Sequence, residues 1–144
     1  MITLRESPIL NVTLRALFPM VVLYSVQLFS YGANSPGGGF QAGVVFGTIV
    51  VAMELMRERR LYSQRFFQGM EVAGMLLLAG LAAAGWARTG HPLGGFYHWT
   101  ARGDLFSNVY LWLLNAAIFC EVAGSLVLIF RHLMEWDAHA ARDA

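Results

Sequence analysis

Charge is scarce in this sequence. Only 13% of the 144 residues are charged, while 57% are hydrophobic. A soluble domain carries about 25% charged residues, because polar side chains must cover the surface that water touches. Lipid requires no such covering, and the apolar runs of this chain lack the polar face of a soluble helix. The composition therefore predicts an integral membrane protein and disfavours a soluble four-helix bundle.

Several chemical signatures are also missing. The single cysteine, Cys120, excludes an internal disulfide, and the net charge of +1 gives no reason to expect a nucleic acid as partner. Motifs of the Gly-x-Ser-x-Gly or His-Glu-x-x-His type are absent, so nothing supports catalysis within this chain. The histidines do not form a metal-binding set, and the sequence predicts no metal and no other cofactor. They are His91, His98, His132 and His139.

Four apolar runs predict four transmembrane helices. The fold class is therefore all-α, with a single membrane domain over residues 1–144. The second and third runs are close to the lower length limit for crossing a bilayer. The predicted helices cover residues 9–31, 40–56, 70–86 and 105–133, and a short polar tail follows at 135–144.

The arginines predict how the chain crosses the membrane. All ten basic residues are arginines, and four of them follow the second helix, between residues 57 and 65. If the helices alternate in direction, eight of the ten arginines lie on the side of this loop and of both termini. Since cytoplasmic loops are enriched in arginine and lysine, both termini are predicted to be cytoplasmic.

The most unusual segment is the glycine-rich loop between helices 1 and 2. Such a stretch cannot continue a helix, and it is not a phosphate-binding P-loop, because no Gly-Lys-Ser/Thr follows. Two interpretations stay open: a tight outer turn, or a re-entrant loop that is buried within a complex. The predicted structural residues of this loop are Asn34, Pro36, Gly37, Gly38 and Gly39.

Small and polar residues predict contacts between helices. Gly43 and Gly47 form a Gly-x-x-x-Gly pair on the second helix, and such pairs let two helices approach closely in lipid. Gly80 and Ala84 form a weaker pair of the same kind on the third helix. Both pairs can pack within this chain or against another subunit, and the second is expected, because four short helices leave little interior. Asn108 and Asn115 lie seven residues apart on roughly one face of the fourth helix and are predicted to bridge helices through hydrogen bonds.

Three glutamates are the candidates for ion contact. Glu121 lies near the middle of the fourth helix, whereas Glu54 and Glu71 lie toward the predicted inner side. A carboxyl group in a low-dielectric environment favours its protonated form unless a cation pairs with it, and can then bind and release a proton. Alternatives stay open for each. Glu54 and Glu71 can pair with Arg15 or with other inner arginines, and Glu121 can be a neutral structural residue.

The glycine-rich loop carries a resemblance to a known family. From Gly32 to Gly43 the chain reads Gly-Ala-Asn-Ser-Pro-Gly-Gly-Gly-Phe-Gln-Ala-Gly. It resembles the B-type subunit of the multi-subunit Mrp-type cation/proton antiporters, whose members carry Gly-x-Asn-x-Pro-Gly-Gly-Gly-Phe-x-x-Gly after the first helix. The length and the four predicted helices fit as well. One departure is Ala33, where a histidine is expected in many relatives.

The resemblance implies a small multi-pass subunit of a sodium/proton antiporter in the inner (plasma) membrane. The transported partners would be the sodium ion and the proton, with the proton gradient as driving force. Other membrane subunits would surround the chain, including large subunits similar to the antiporter-like subunits of respiratory complex I. The chain would support assembly and contribute to the ion path. Two alternatives stay open: a subunit of a related redox-driven pump, such as a membrane-bound hydrogenase, or a purely structural scaffold.

Overall fold

The protein is built from long α-helices. The computed structural model describes residues 8–32, 37–57, 60–92 and 109–143, with side chains described up to residue 136 in the last stretch. Within these ranges the helices are α1 (Pro8–Tyr31), α2 (Gly39–Arg57), α3 (Gln64–Thr89) and α4 (Val109–Asp143). Each is long and apolar enough to cross a membrane. The predicted all-α membrane architecture is confirmed.

α3 is longer than the segment 70–86 that the sequence predicted. The hydroxyl of Ser63 accepts a hydrogen bond from the amide of Phe66 at 3.2 Å and so caps the start of the helix. Gly90 ends the helix in the left-handed conformation, with a φ of 73°, and its amide donates to the carbonyl of Trp86. Hydropathy alone misses the first turns because they are rich in polar residues.

α4 extends beyond the predicted fourth span. It runs to Asp143, so the predicted polar tail at 135–144 belongs largely to its last turns. The predicted start of this helix, at residue 105, lies outside the described residues. With 35 residues the helix is about 52 Å long. A hydrocarbon core is about 30 Å thick, so part of α4 lies outside it.

The helices lie side by side in the order α1, α2, α4, α3. α4 packs along α2 on one side and along α3 on the other, while α1 contacts mainly α2. α2 and α4 run parallel, because Gly39 meets Asn115 near their starts and Glu54 meets Arg131 near their ends. α1 and α3 run in the opposite direction. We call the end that holds Glu54 and Arg131 the inner end, since the arginine distribution predicts that it faces the cytoplasm.

Burial differs between the middle and the edges of this row. A compact apolar cluster lies toward the inner end, between α2, α3 and α4; it consists of Val50, Val51, Phe67, Val127 and Leu128. α2 buries half of its apolar stretch, whereas α1 buries only Ser25 along its whole length. The outward faces of α1 and α3 are therefore left to lipid or to other chains.

Candidate functional site

The end of the glycine-rich loop is held by α1 and α4. Gly38 has a φ of 139°, which residues with a side chain rarely adopt, and its amide donates to the carbonyl of Leu28 at 3.2 Å. The amide of Gly39, the first residue of α2, donates to Oδ1 of Asn115 at 3.2 Å. Asn115 thus satisfies a free amide at the start of α2 from a neighbouring helix. The predicted bridging role of Asn115 is confirmed, whereas Asn108 lies outside the described residues.

The contact between α2 and α4 leaves no space for a side chain at its outer end. A Cβ atom on Gly39 would collide with the backbone oxygen of Asn115. Gly43 and Gly47 follow at successive turns of α2, are buried and also face α4. The structure therefore places both predicted packing glycines at a contact within this chain, and the expectation that this pair packs against another subunit is wrong.

Only part of the predicted structural loop is described. Gly37 is half-buried, and a Cβ atom on it would lie 3.0 Å from the carbonyl oxygen of Leu28. Asn34 and Pro36 lie outside the described residues, as does Ala33, where the sequence departs from the family pattern.

The contact between α3 and α4 depends on glycines other than the predicted one. A Cβ atom on Gly80 would meet no neighbouring atom within 4 Å, so this glycine does not serve the packing of the described helices. A Cβ atom on Gly74 of α3 would lie 2.6 Å from the oxygen of Ala117, and one on Gly124 of α4 would lie 2.8 Å from the oxygen of Phe67. These two glycines set the distance between α3 and α4.

Glu54 forms a buried ion pair with Arg131 of α4. Arg131 donates to Oε2 of Glu54 through Nε at 3.0 Å and to Oε1 through Nη2 at 2.6 Å. Only 4% of each side chain is exposed. Arg15, the other suggested partner, donates instead to Asn11 on its own helix at 3.0 Å. For Glu54 the structure therefore supports pairing with an inner arginine.

The ion pair also holds the connection between α2 and α3. The amide of Leu61 donates to Oε1 of Glu54 at 3.1 Å, and Nη2 of Arg131 donates to the carbonyl of Tyr62 at 3.0 Å. The guanidinium carbon of Arg131 lies 5.0 Å from the ring centre of Phe67, within cation–π range. The charge of Glu54 is thus neutralised inside the chain, and three helices meet at this point.

Glu71 has a different environment. Its side chain is half-buried on α3, and its Oε1 accepts a hydrogen bond from the hydroxyl of Ser125 on α4 at 2.7 Å. In the described part of the chain no arginine forms an ion pair with Glu71. Its carboxylate is therefore held by a neutral hydroxyl group rather than by a cation.

Glu121 lies deep in the fourth helix, as the sequence predicted. It is half-buried beside Gly74 of α3, and none of the residues that the structure describes forms a hydrogen bond or an ion pair with its carboxylate. Glu121 and Ser125 are four residues apart and so share one face of α4. Carboxyl and hydroxyl groups therefore follow one another along α4 and across to α3. We call this row of Glu121, Ser125 and Glu71 the polar line.

Two open grooves lie on either side of this polar line. The groove between α3 and α4 contains Glu71, Ser125 and His132. The groove along the α2 side of α4 contains Glu121 among mostly apolar side chains. Within the described ranges, His, Cys, Asp and Glu side chains do not gather in a group that could hold a metal ion.

The sequence interpretation missed the roles of two residues at this site. Arg131 lies inside the apolar run that was predicted to end at residue 133, and a charged residue at such depth signals a partner within the protein. Ser125 lies one turn after Glu121, and that spacing is a signal for a shared face. The bond from Ser125 to Glu71 depends on how α3 packs on α4.

The comparison with protein families identifies the family of this chain. Residues 9–128 match the family described as "Domain related to MnhB subunit of Na+/H+ antiporter". The chain belongs to this MnhB-related family. The match includes nearly all of α1, the whole of α2 and α3 and more than half of α4. The resemblance to the B-type subunit of a cation/proton antiporter is therefore confirmed. A search of the curated proteins gave no match.

Membership in the MnhB-related family defines the broad function. The family is one of transporter subunits, so the chain is a subunit of a Na+/H+ antiporter complex and has other membrane subunits as partners. Four apolar helices in the described residues agree with a multi-pass membrane protein. The roles of single glutamates, loop residues and glycines stay predictions.

Proposed function

We propose that this chain is a small plasma-membrane subunit of a sodium/proton antiporter, in which Glu121 and Glu71 contact the transported ion or proton. Family membership supports the type of complex, and the geometry around Glu121 supports a share in the ion path. Carboxylate and hydroxyl oxygens suit hard cations, and carboxyl groups at membrane depth are typical of proton relays. Glu121, Ser125 and Glu71 offer such oxygens one after another.

The observation that carries this proposal is the unpaired state of the Glu121 carboxylate within the described chain. A carboxyl group that no arginine neutralises can bind and release a proton. It can also contact a cation without first giving up a charged partner within the described chain. Glu121 lines an open groove of this chain, so its carboxylate is accessible to an ion or to a neighbouring subunit.

The role that we propose for Glu54 is to hold the inner end of the fold. Its two oxygens accept hydrogen bonds from Arg131 and from the amide of Leu61. Moving an ion onto Glu54 would require breaking a bidentate contact in a buried environment, which is costly. Of the three predicted glutamates, Glu54 is therefore the least suited to ion transfer.

The glycine-rich loop has a structural role in this proposal. Its last residues position the start of α2 through the carbonyl of Leu28 and the side chain of Asn115. The rigid contact between α2 and α4 then fixes the face of α4 that carries Glu121. The loop thus supports the ion path without contacting the ion.

The test is sodium/proton exchange by the complete complex in proteoliposomes, with Glu121→Gln and Glu71→Gln in this chain. We expect Glu121→Gln to lower the exchange rate per assembled complex by about tenfold or more, because acid–base groups contribute at least that much to the steps that they serve. Glu71→Gln should act in the same direction.

Glu135→Gln is the matched control for these variants. Glu135 is half exposed near the end of α4 and pairs with Arg60, far from the polar line. We expect exchange by this variant to match that of the unmodified complex. If Glu121→Gln and Glu71→Gln also show unchanged exchange at every pH, ion flux lies in other subunits and this chain is a structural scaffold.

The composition of the complex tests the type of transporter. Purification of the tagged chain in mild detergent, followed by mass spectrometry, should recover large antiporter-like membrane subunits. Recovery of nickel–iron or iron–sulfur subunits would instead assign the chain to a redox-driven pump.

A further inference from the structure

One face of α4 has the geometry of a docking surface for another helix. Glu121, Ser125, Ile129 and Leu133 recur every four residues and form a ridge, which we call the α4 ridge. Ser125, Ile129 and Leu133 line the grooves on both of its sides, and Glu121 lines the groove toward α2. Helices pack by fitting such ridges into each other's grooves. The α4 ridge therefore offers one more helix a place beside α2 and α3.

We propose that a transmembrane helix from a different chain of the antiporter complex packs on the α4 ridge and places a basic side chain beside Glu121. This inference rests on the proposed function, because it assigns Glu121 to an ion path shared between two chains. The ion path would run between the two chains, and the partner helix would form the wall that this chain does not provide. Its basic group would balance the carboxylate when no ion or proton does so.

Charge is the first argument for this occupant. The Glu121 carboxylate faces a groove of mostly apolar side chains, and a lipid chain in that groove would leave the carboxyl group without a partner. The neighbours of Glu121 in this groove and on α3 include Phe40, Val44 and Gly74, none of which can ionise. A basic side chain from another helix supplies the missing charge.

The described basic groups of this chain are engaged elsewhere or lie at helix ends. Arg15 donates to Asn11 of its own helix. At or next to the ends of α2 and α3 lie Arg57, Arg65, Arg88 and His91. Arg131 is bound by Glu54, and Arg60 by Glu135. His132 lines the groove toward α3, but it follows Glu121 by eleven residues, about 16 Å along the helix. Its Nδ1 also lies 2.8 Å from the carbonyl oxygen of Leu128. Glu121 therefore depends on a cation from outside the described chain.

A second copy of this chain fits less well than a chain of another kind. In a symmetric pair packed through the α4 ridge, the same patch meets itself. Each Glu121 would then face the polar line of the other copy, which contains two carboxylates and no cation. Like charges that are brought together in a low-dielectric environment repel each other strongly. The charge pattern thus favours a chain of different sequence.

Photo-crosslinking in the intact complex tests this proposal. The photoreactive residue p-benzoyl-phenylalanine is placed at Ile129, which is 61% exposed, and separately at Leu76 on α3, which is 67% exposed. We expect Ile129 to crosslink to a transmembrane segment of another protein of the complex, and that segment should contain a lysine or an arginine. Leu76 serves as the control and should not capture that segment.

Charge reversal then tests the contact itself. Glu121→Lys should lower the recovery of the captured partner protein by about tenfold or more, as expected when one member of a buried charge pair is lost. An acidic replacement of the basic residue in the captured segment should restore that recovery. Failure of the restoring exchange would overturn the proposed charge contact.

Three crosslinking outcomes would overturn the docking proposal. They are capture of lipid alone at Ile129, capture of a second copy of this chain, and capture of a segment without a basic residue. The proposed function fails in a different experiment. Normal exchange by Glu121→Gln would contradict the ion-path role even if the crosslink forms, and reduced exchange without a crosslink would leave that role standing.

Discussion

The inner end of the molecule and the α4 ridge each carry a glutamate, but the surroundings of the two carboxylates differ. At the inner end, Glu54 is buried, bound by Arg131 through two hydrogen bonds and capped by a loop amide. On the α4 ridge, Glu121 is half-buried and has no partner in the described chain. The carboxylate of Glu54 stabilises the fold of this subunit. The carboxylate of Glu121 makes no such contact within the described chain and is available to other molecules.

The comparison shows why depth in the membrane does not by itself identify an ion site. Both glutamates lie in apolar helices, and both were candidates for ion contact on that ground. What separates them is the presence of a cation across the helix contact. Buried charge is structural where the chain itself supplies the opposite charge, and becomes a functional candidate where it does not.

Arg131→Ala should have the largest effect, because it turns Glu54 into an unpaired buried carboxylate. Removal of one partner from a buried ion pair costs about 3–5 kcal/mol of folding free energy. We expect a large loss of folded, monodisperse protein in detergent and a strongly lowered melting temperature. The measurement is thermal unfolding followed by fluorescence and size-exclusion chromatography.

The double variant Glu54→Leu with Arg131→Leu is the control for this effect. Replacing both members by apolar residues removes the uncompensated charge, so the double variant should be more stable than Arg131→Ala alone. A double variant that unfolds at the same temperature as the single one would show that the pair contributes shape rather than charge.

Gly39→Ala should have the next largest effect, since it separates the two helices that carry the compared glutamates. A methyl group at this position collides with the backbone of Asn115, and overpacking of this kind costs about 1–3 kcal/mol. Gly80→Ala on α3 is the matched control, because its Cβ would enter open space. It should leave the melting temperature unchanged or raise it, as alanine favours helix.

Asn115→Ala should have a smaller effect, confined to the outer end of the contact between α2 and α4. It removes the acceptor for the Gly39 amide, and loss of a helix cap costs about 1 kcal/mol. Hydrogen exchange of the amides at the start of α2 should become faster, while exchange near Glu54 should not change. Equal acceleration at both ends would mean that the two contacts are coupled.

Glu135→Gln should have the smallest effect on stability, and it compares an exposed ion pair with the buried pair of Glu54 and Arg131. It breaks the ion pair with Arg60, but both side chains are about half exposed, and surface pairs of this kind contribute about 0–1 kcal/mol. The shift in melting temperature should be slight and should vanish at high salt. A shift as large as that of Arg131→Ala would contradict the distinction between buried and exposed pairs.

The positions of the helices were largely predictable, because hydropathy and the distribution of arginines can be read from each segment without knowing its neighbours. The first and last residues of α3 and α4 were not predictable in this way. Polar first turns hide the start of α3 at Gln64, although Ser63 caps it, and polar last turns hide the extension of α4 to Asp143. Hydropathy reports what lies in the membrane, whereas a helix ends where its hydrogen bonds end.

The partners of the glutamates could not be predicted, because they depend on which helix lies next to which. Sequence showed Arg131 as one inner arginine among several, and only the parallel packing of α2 and α4 brings it to Glu54. The same limit applies to glycines. Gly80 looks like a packing residue in the sequence and is exposed, whereas Gly74, outside any recognised pair, faces Ala117 and Glu121.

The ion pair between Glu54 and Arg131 also constrains the order in which the protein is made. Its two members are 77 residues apart in the chain, and at about 5–20 residues per second the ribosome needs roughly 4–15 s to pass from one to the other. During that interval α2 is in the translocation machinery or the bilayer without its cation. α1 and α2 can already pack on each other, but α3 gains its main packing partner only when α4 is inserted. A chain that is interrupted before α4 therefore lacks both the main packing partner of α3 and the cation that neutralises Glu54.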